Sequence, residues 1–284
     1  MKTNGEPGWH DTELDLSTKV AVVTGGTGGI GRATCIQLAR EGVRAVACVD
    51  FNDNVKGFCD EVNRRLDREA LLPFRGDVTD SQFRRSVFKE MEERFGTVSI
   101  CVPAAGITRD KLGVRVKREG DGVEIYSEED FRRVIEVDLV APIYWALDTV
   151  GSVARERATA GKKKWTVDEG VQGVVIFIGS VSSAGNRGQV SYASAKAGLE
   201  GAQATLAAEA IFFGVRSAII HPGYTDTPMV RALGEDFIDK HILPQTQLRR
   251  LIYPEEIAHA ICFMIQNSAV SGQLWADAGW HPLA

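Results

Sequence analysis

Thr24-Gly25-Gly26-Thr27-Gly28-Gly29-Ile30-Gly31 follows directly on the apolar run Val20-Ala21-Val22-Val23, and this junction decides how the whole chain is read. Four consecutive apolar residues, three of them valine, predict a strand buried on both faces. Residues 31–41 then carry a helical pattern that Gly42 ends. A strand passing through a glycine-rich turn into a helix leaves backbone N–H groups free at the helix start. With side chains absent, a phosphate can reach that backbone and meet the favourable end of the helix dipole. The stretch therefore predicts a pyrophosphate cradle, although a glycine-rich turn taken alone also serves flexible loops.

The same unit recurs along the chain. Apolar runs at 44–49, 70–74, 98–102, 173–178 and 216–220 are mostly separated by amphipathic stretches of helix length. This alternation predicts an α/β fold: a doubly wound, Rossmann-type, mostly parallel sheet with helices on both faces. A last short run at 272–276 supplies a seventh, edge strand. Residues 18–284 are read as one domain, a size that open α/β sheets commonly reach. Residues 1–17, polar and broken by Gly5, Pro7 and Gly8, are expected as a flexible N-terminal arm. Residues 111–126 and 158–170 look like insertions, read as solvated surface loops that either border the site or join subunits.

Composition narrows the function. A net charge of −5 gives no basic field for nucleic acid, and the longest basic run is Lys162-Lys163-Lys164. No stretch approaches the roughly 20 apolar residues of a membrane span, and the N-terminus lacks the order of a signal peptide. The expected location is the cytoplasm, with a small molecule as partner. Five dispersed cysteines without a companion histidine spacing read as buried reduced thiols, and no metal site is expected.

Around the cradle, the second run ends at Asp50-Phe51, about 20 residues beyond the loop, where a carboxylate accepts from adenosine ribose hydroxyls and repels a 2′-phosphate. That favours NAD over NADP, the alternative being a strand-end carboxylate that caps the next turn. Asp77-Val78 closes the third run at the rim where an adenine would lie, or else simply opens a turn. Further on, Tyr192 and Lys196 share one face of a helical pattern, four residues apart. A fixed ammonium beside a phenol favours the phenolate. Ser180 follows the buried fifth run, at the same sheet rim, and its hydroxyl is placed to bond a substrate oxygen.

Taken together, the glycine loop, Ser180 and the Tyr192/Lys196 pair resemble the short-chain dehydrogenase/reductase family from about Lys19 to Trp280. The family's TGxxxGxG matches Thr24, Gly25, Gly29 and Gly31, and its YxxxK matches Tyr192 and Lys196; Thr27 and Ile30 fall within the same loop. The resemblance implies that Tyr192 exchanges a proton with the substrate oxygen, that Ser180 steadies it, and that Lys196 holds the nicotinamide ribose and lowers the Tyr192 pKa. It implies that Pro222-Gly223 with Thr225 and Thr227 holds the carboxamide and phosphate. An NAD(H)-dependent oxidoreductase acting on a secondary alcohol or ketone follows as the expectation.

Two departures stand out. The family usually shows NNAG where this chain has Pro103-Ala104-Ala105-Gly106, of which Ala104, Ala105 and Gly106 are expected at the cofactor. The asparagine that completes the family's catalytic set aligns with Asp138. If these changes disabled chemistry, the chain would be a nucleotide-binding sensor or scaffold. The segment 185–189 and the ending 276–280 resemble the 3-oxoacyl carrier-protein reductase branch, giving an NAD(P)H-dependent alternative. Against it, residues 197–213 hold no Lys or Arg for an acidic carrier protein. Residues 228–251 are expected as a substrate lid. Phe131, Val134, Ile135, Leu139, Ile143, Trp145 and Leu147 exceed what one side of a sheet needs, so that some form a subunit contact, as in the family's dimers and homotetramers, the alternative being ordinary core burial. His221 either touches substrate or is a bonded strand-end histidine.

Overall fold

The computed structural model describes residues 14–117 and 122–280. In chain order the elements are β1 (Val20–Thr24), α1 (Gly29–Arg40), β2 (Ala45–Asp50), α2 (Val55–Leu66), β3 (Leu71–Arg75), α3 (Ser81–Phe95) and β4 (Val98–Pro103). A ribbon of β5 (Val114–Val116) and β6 (Val123–Ile125) follows, then α4 (Glu128–Ile135), a π-helical turn (Glu136–Val140) and α5 (Ala141–Thr159). The chain continues through β7 (Gly173–Ile178), α6 (Val190–Ala210), β8 (Val215–Pro222), the short α7 (Pro228–Arg231) and α8 (Glu235–Phe237), α9 (Pro254–Gln266) and β9 (Gly272–Ala276).

The main sheet runs β3-β2-β1-β4-β7-β8-β9, with every pairing parallel. Each predicted strand is present, so the doubly wound architecture is as the apolar runs implied. On one face α1, α2 and α9 bury Leu38, Phe58 and Ile261; on the other α3, α5 and α6 bury Phe88, Trp145 and Leu199. Between β1 and β4 the strand order reverses, so the loops after them splay apart and open a crevice at their carboxyl ends.

Local chemistry sets the element ends. Asp80 caps α3 by accepting from Gln82 N–H at 2.7 Å, and Pro254 begins α9, whose Glu256 closes a capping box. The helix after the glycine loop begins at Gly29, two residues earlier than its pattern suggested, because the turn itself winds into the helix.

Three segments take a more definite form in the structure than their sequence implied. Within 111–126, Val114–Val116 and Val123–Ile125 are solvent-exposed, as expected, but form strands rather than irregular loop. Val114, Val116, Val123 and Ile125 alternate with charged residues and pair across an antiparallel ribbon, a period of two that the charge of the segment obscured. Residues 158–170 are largely exposed, and the segment closes on itself: buried Arg157 and Lys162 both bind Glu169, at 2.8 and 2.9 Å. Trp145 and Val134 are core rather than subunit contacts; the Trp145 indole N–H donates to Val78 O at 3.0 Å. Of the expected arm, residues 1–13 lie outside the described residues. Residues 14–17 are docked, with Leu14 N–H bonded to Gln266 O and Leu16 buried.

Candidate active site

The crevice at the strand-order reversal has a volume of about 570 Å³ and runs from the glycine loop to Tyr192 and Lys196. Its floor requires glycine. Gly25 has φ 65°, and a β-carbon there would lie 2.8 Å from the Ala105 backbone; one at Gly31 would overlap the Gly25 carbonyl oxygen. The chain can therefore fold from β1 into α1 against Ala104, Ala105 and Gly106 only without side chains at these two positions. Helix α1 has no side-chain cap at Gly28, which leaves its first amides for a ligand. Thr24 does not line the crevice. Its hydroxyl accepts from Ala105 N–H at 3.2 Å and so ties the two loops together.

Asp50 closes the crevice at the end of β2. One of its oxygens accepts from Thr27 N–H and the other from Asn52 N–H, both at 2.9 Å. The turn cap and the cradle contact thus coexist, and each oxygen keeps a lone pair for a hydroxyl. Ile30, Phe51, Asp77 and Val78 line the same wall. Asp77 accepts from Thr79 and faces Arg133 at 3.1 Å; burial works against its charge, but these partners outweigh it and hold its carboxyl below the usual range. Thr227 caps α7, reaches the crevice and covers Gly29. Gly223 faces a neighbouring pocket instead, while Pro222 ends β8 and Thr225 is buried with its hydroxyl on Gly223 O. A dinucleotide fits this donor set: a glycine floor, free helix amides and an acid at the ribose end.

Tyr192 stands where the crevice meets a pocket of about 100 Å³ that includes Ser180, Ser182, Asn186 and Met229. It lies on α6, an alanine-rich helix of 21 residues whose propensity keeps this turn regular. Lys196 Nζ lies 5.3 Å from the Tyr192 ring centre, donates to Ile178 O at 3.1 Å and faces Asp138 Oδ2 at 3.5 Å. Ser180 lines the same small pocket as Tyr192, and its hydroxyl pulls the phenol's pKa down.

Burial pushes the Tyr192 phenol up; Lys196 pulls it down, Asp138 pushes it up again, and the net position is above the ordinary tyrosine value. Lys196 acts on the phenol in the expected direction, but burial and a second charge outweigh the ammonium. Burial disfavours the Lys196 charge too, yet Tyr192 and Asp138 raise its pKa overall. Asp138 is fully buried in the π-helical turn, with Oδ1 accepting from Ile107 N–H at 2.9 Å, and desolvation raises its pKa.

His221 does not reach the pocket. It is buried against Trp275 with Nδ1 at 3.3 Å from Ser180 O, backing the serine turn. Residues 228–251 cover the pocket through Met229, Val230 and Leu233. Sequence reading missed Arg133, Ile107 and Ile178 on the crevice wall, and the chain Asn186–Gln189–Asp110 at the pocket, bonded at 3.0 and 2.8 Å. Adjacency to Gly106 and to the fifth strand marks Ile107 and Ile178. Arg133 arrives from α4 and carries no local signal.

Comparison with known proteins agrees with this geometry. The family model described as short chain dehydrogenase matches residues 19–237. The 3-oxoacyl-(acyl-carrier-protein) reductase of Escherichia coli (strain K12) is 31% identical over 257 residues, covering 90% of this chain and 93% of that protein. The acetoacetyl-CoA reductase of Cupriavidus necator is 31% identical over 268 residues, with 92% and 96% covered. The 3-oxoacyl-(acyl-carrier-protein) reductase of Mus musculus is 33% identical over 264 residues, with 92% and 97% covered. With glycine floor, tyrosine and lysine on one crevice and the serine in the pocket that adjoins it at Tyr192, the chain belongs to the short-chain dehydrogenase family and is an oxidoreductase acting between alcohol and carbonyl groups.

Proposed function

We propose that the protein is an NAD(H)-dependent enzyme that interconverts a secondary alcohol and its ketone, with Tyr192 as general acid and base. The observation that carries this reading is the position of Tyr192, shared by the crevice and the pocket that Ser180 also lines. A nicotinamide dinucleotide supplies the hydride chemistry when bound. The chain's own part is to hold and move one proton. In oxidation Tyr192 takes the hydroxyl proton, and in reduction it returns one to the carbonyl oxygen. Ser180 donates to the same oxygen, and Lys196, pinned by Ile178 O, offers its remaining protons to ribose hydroxyls.

Asp50 supports NAD over NADP, since a carboxylate lining the crevice at the end of β2 would accept from ribose hydroxyls and repel a 2′-phosphate. The nearby cations are committed, Arg75 to Asp53 and Arg133 to Asp77. Titration should give tighter binding of NADH than of NADPH, by about tenfold or more for a carboxylate–hydroxyl pair replaced by charge repulsion. The reverse order would remove Asp50 from the ribose. A screen of alcohols and ketones at the NADH absorbance band then finds the substrate.

A second reading, reduction of a 3-oxoacyl thioester, is favoured by what the relatives in Escherichia coli and Cupriavidus necator are named for. Acyl thioesters in the same screen separate the two readings. Action in the cytosol fits the absence, among the described residues, of any helix long and apolar enough to cross a membrane, together with five buried free thiols. A homotetramer or dimer is part of this reading, with exposed Tyr144 and Leu147 on α5 as its contact surface.

A further inference from the structure

Asp138 puts a carboxylate where it opposes Lys196, and the surroundings are built to hold it there. The carboxyl is wholly buried, Oδ1 is fixed by Ile107 N–H at 2.9 Å, and Oδ2 is aimed at Lys196 Nζ at 3.5 Å. Oδ2 fits because residue 106 is glycine: a β-carbon there would lie 2.8 Å from it. Lys196 is also immobile, since its ammonium donates to Ile178 O. The ammonium and carboxylate therefore act on the phenol as a fixed pair of opposite charges rather than as a lone cation, and a pair's field is the difference of its two ends.

We propose that Asp138 is a built-in counter-ion to Lys196 that moves the working range of Tyr192 to alkaline pH. This rests on the reading of Tyr192 as the proton-exchanging group. The groups facing that phenol are Lys196 on its own helix, Ser180 after β7, Asp138 in the π-helical turn and Asp110 after β4. Asp110 lies at the pocket rim with a carboxylate oxygen on Gln189, more open to solvent than Asp138, and acts on the phenol more weakly. Asp138 has no such access to solvent. The sign follows from the proton: oxidation needs the phenolate, and a negative charge facing the phenol makes its proton harder to lose. The oxidation limb is thereby moved up in pH, and the reduction rate persists to higher pH.

The test is Asp138→Asn, which keeps an oxygen for Ile107 N–H and removes the charge. With saturating cofactor, the ascending pH limb of alcohol oxidation should fall by about one unit, and oxidation below the wild-type limb should rise several-fold. Asp138→Ala, which also removes the Ile107 bond, should move the limb in the same direction at lower thermal stability, so a poorly folding Asn variant leaves a second measurement. A limb that stays in place or moves up in either variant overturns the counter-ion role. Tyr192→Phe separates the two ideas. If it is inactive and the Asp138 variants leave the limb unmoved, only the counter-ion falls; if it keeps its rate, the reading of Tyr192 falls with it.

Discussion

The two cavities that meet at Tyr192 are made of different material. The crevice is a backbone surface, with Gly25 and Gly31 packed on neighbouring main chain, Asp50 accepting two backbone amides, and Ala104 and Ala105 forming the opposite wall. The small pocket is a side-chain surface, in which Asn186, Gln189 and Asp110 bond in sequence and face Met229, Val230 and Leu233. A wall of main chain admits one ligand shape and tolerates little change. A wall of side chains from three separate segments is re-cut by substitution without disturbing the sheet. On the proposed function, the dinucleotide lies against the first kind of surface and the substrate is chosen on the second.

This contrast can be broken at three points. The largest effect is expected at the shared wall, where Tyr192→Phe should reduce turnover by roughly 10²–10⁴-fold while NADH titration stays near wild type. A variant that turns over normally would show that neither cavity contains the reacting atoms. Next comes the main-chain wall. Gly31→Ala forces a β-carbon onto the Gly25 carbonyl, at about 1–3 kcal/mol of strain, and NADH binding measured by fluorescence should weaken by about tenfold or more. The smallest effect belongs to the side-chain wall. Gln189→Ala loses two hydrogen bonds, the one it donates to Asp110 and the one it accepts from Asn186, so KM for substrate should change by less than about tenfold, with cofactor affinity and melting temperature nearly constant. A Gln189 variant that loses cofactor binding would erase the distinction.

The same contrast explains what the sequence revealed. Strands and glycine loop were legible because their signals are local: apolar runs for buried parallel strands, and glycines where the chain must pass close to itself. Tyr192 and Lys196 were legible because helical spacing alone brings them together. The state of that phenol was not, since it depends on burial and on Asp138, which reaches Lys196 from another helix. Arg133 escaped for the same reason. The ribbon at 114–125 escaped for a different one, its alternation being short and its charged residues dominating the composition.

One turn of α6 is a party wall between two rooms. Because Tyr192 belongs to both cavities, a molecule in either one settles the position of a surface the other must use. Whatever free energy bound dinucleotide lends to the substrate, bound substrate must lend back to the dinucleotide in equal measure. Affinity for either alone is thus half of a description; the quantity that characterises this protein is the ratio between its affinities for one ligand with and without the other.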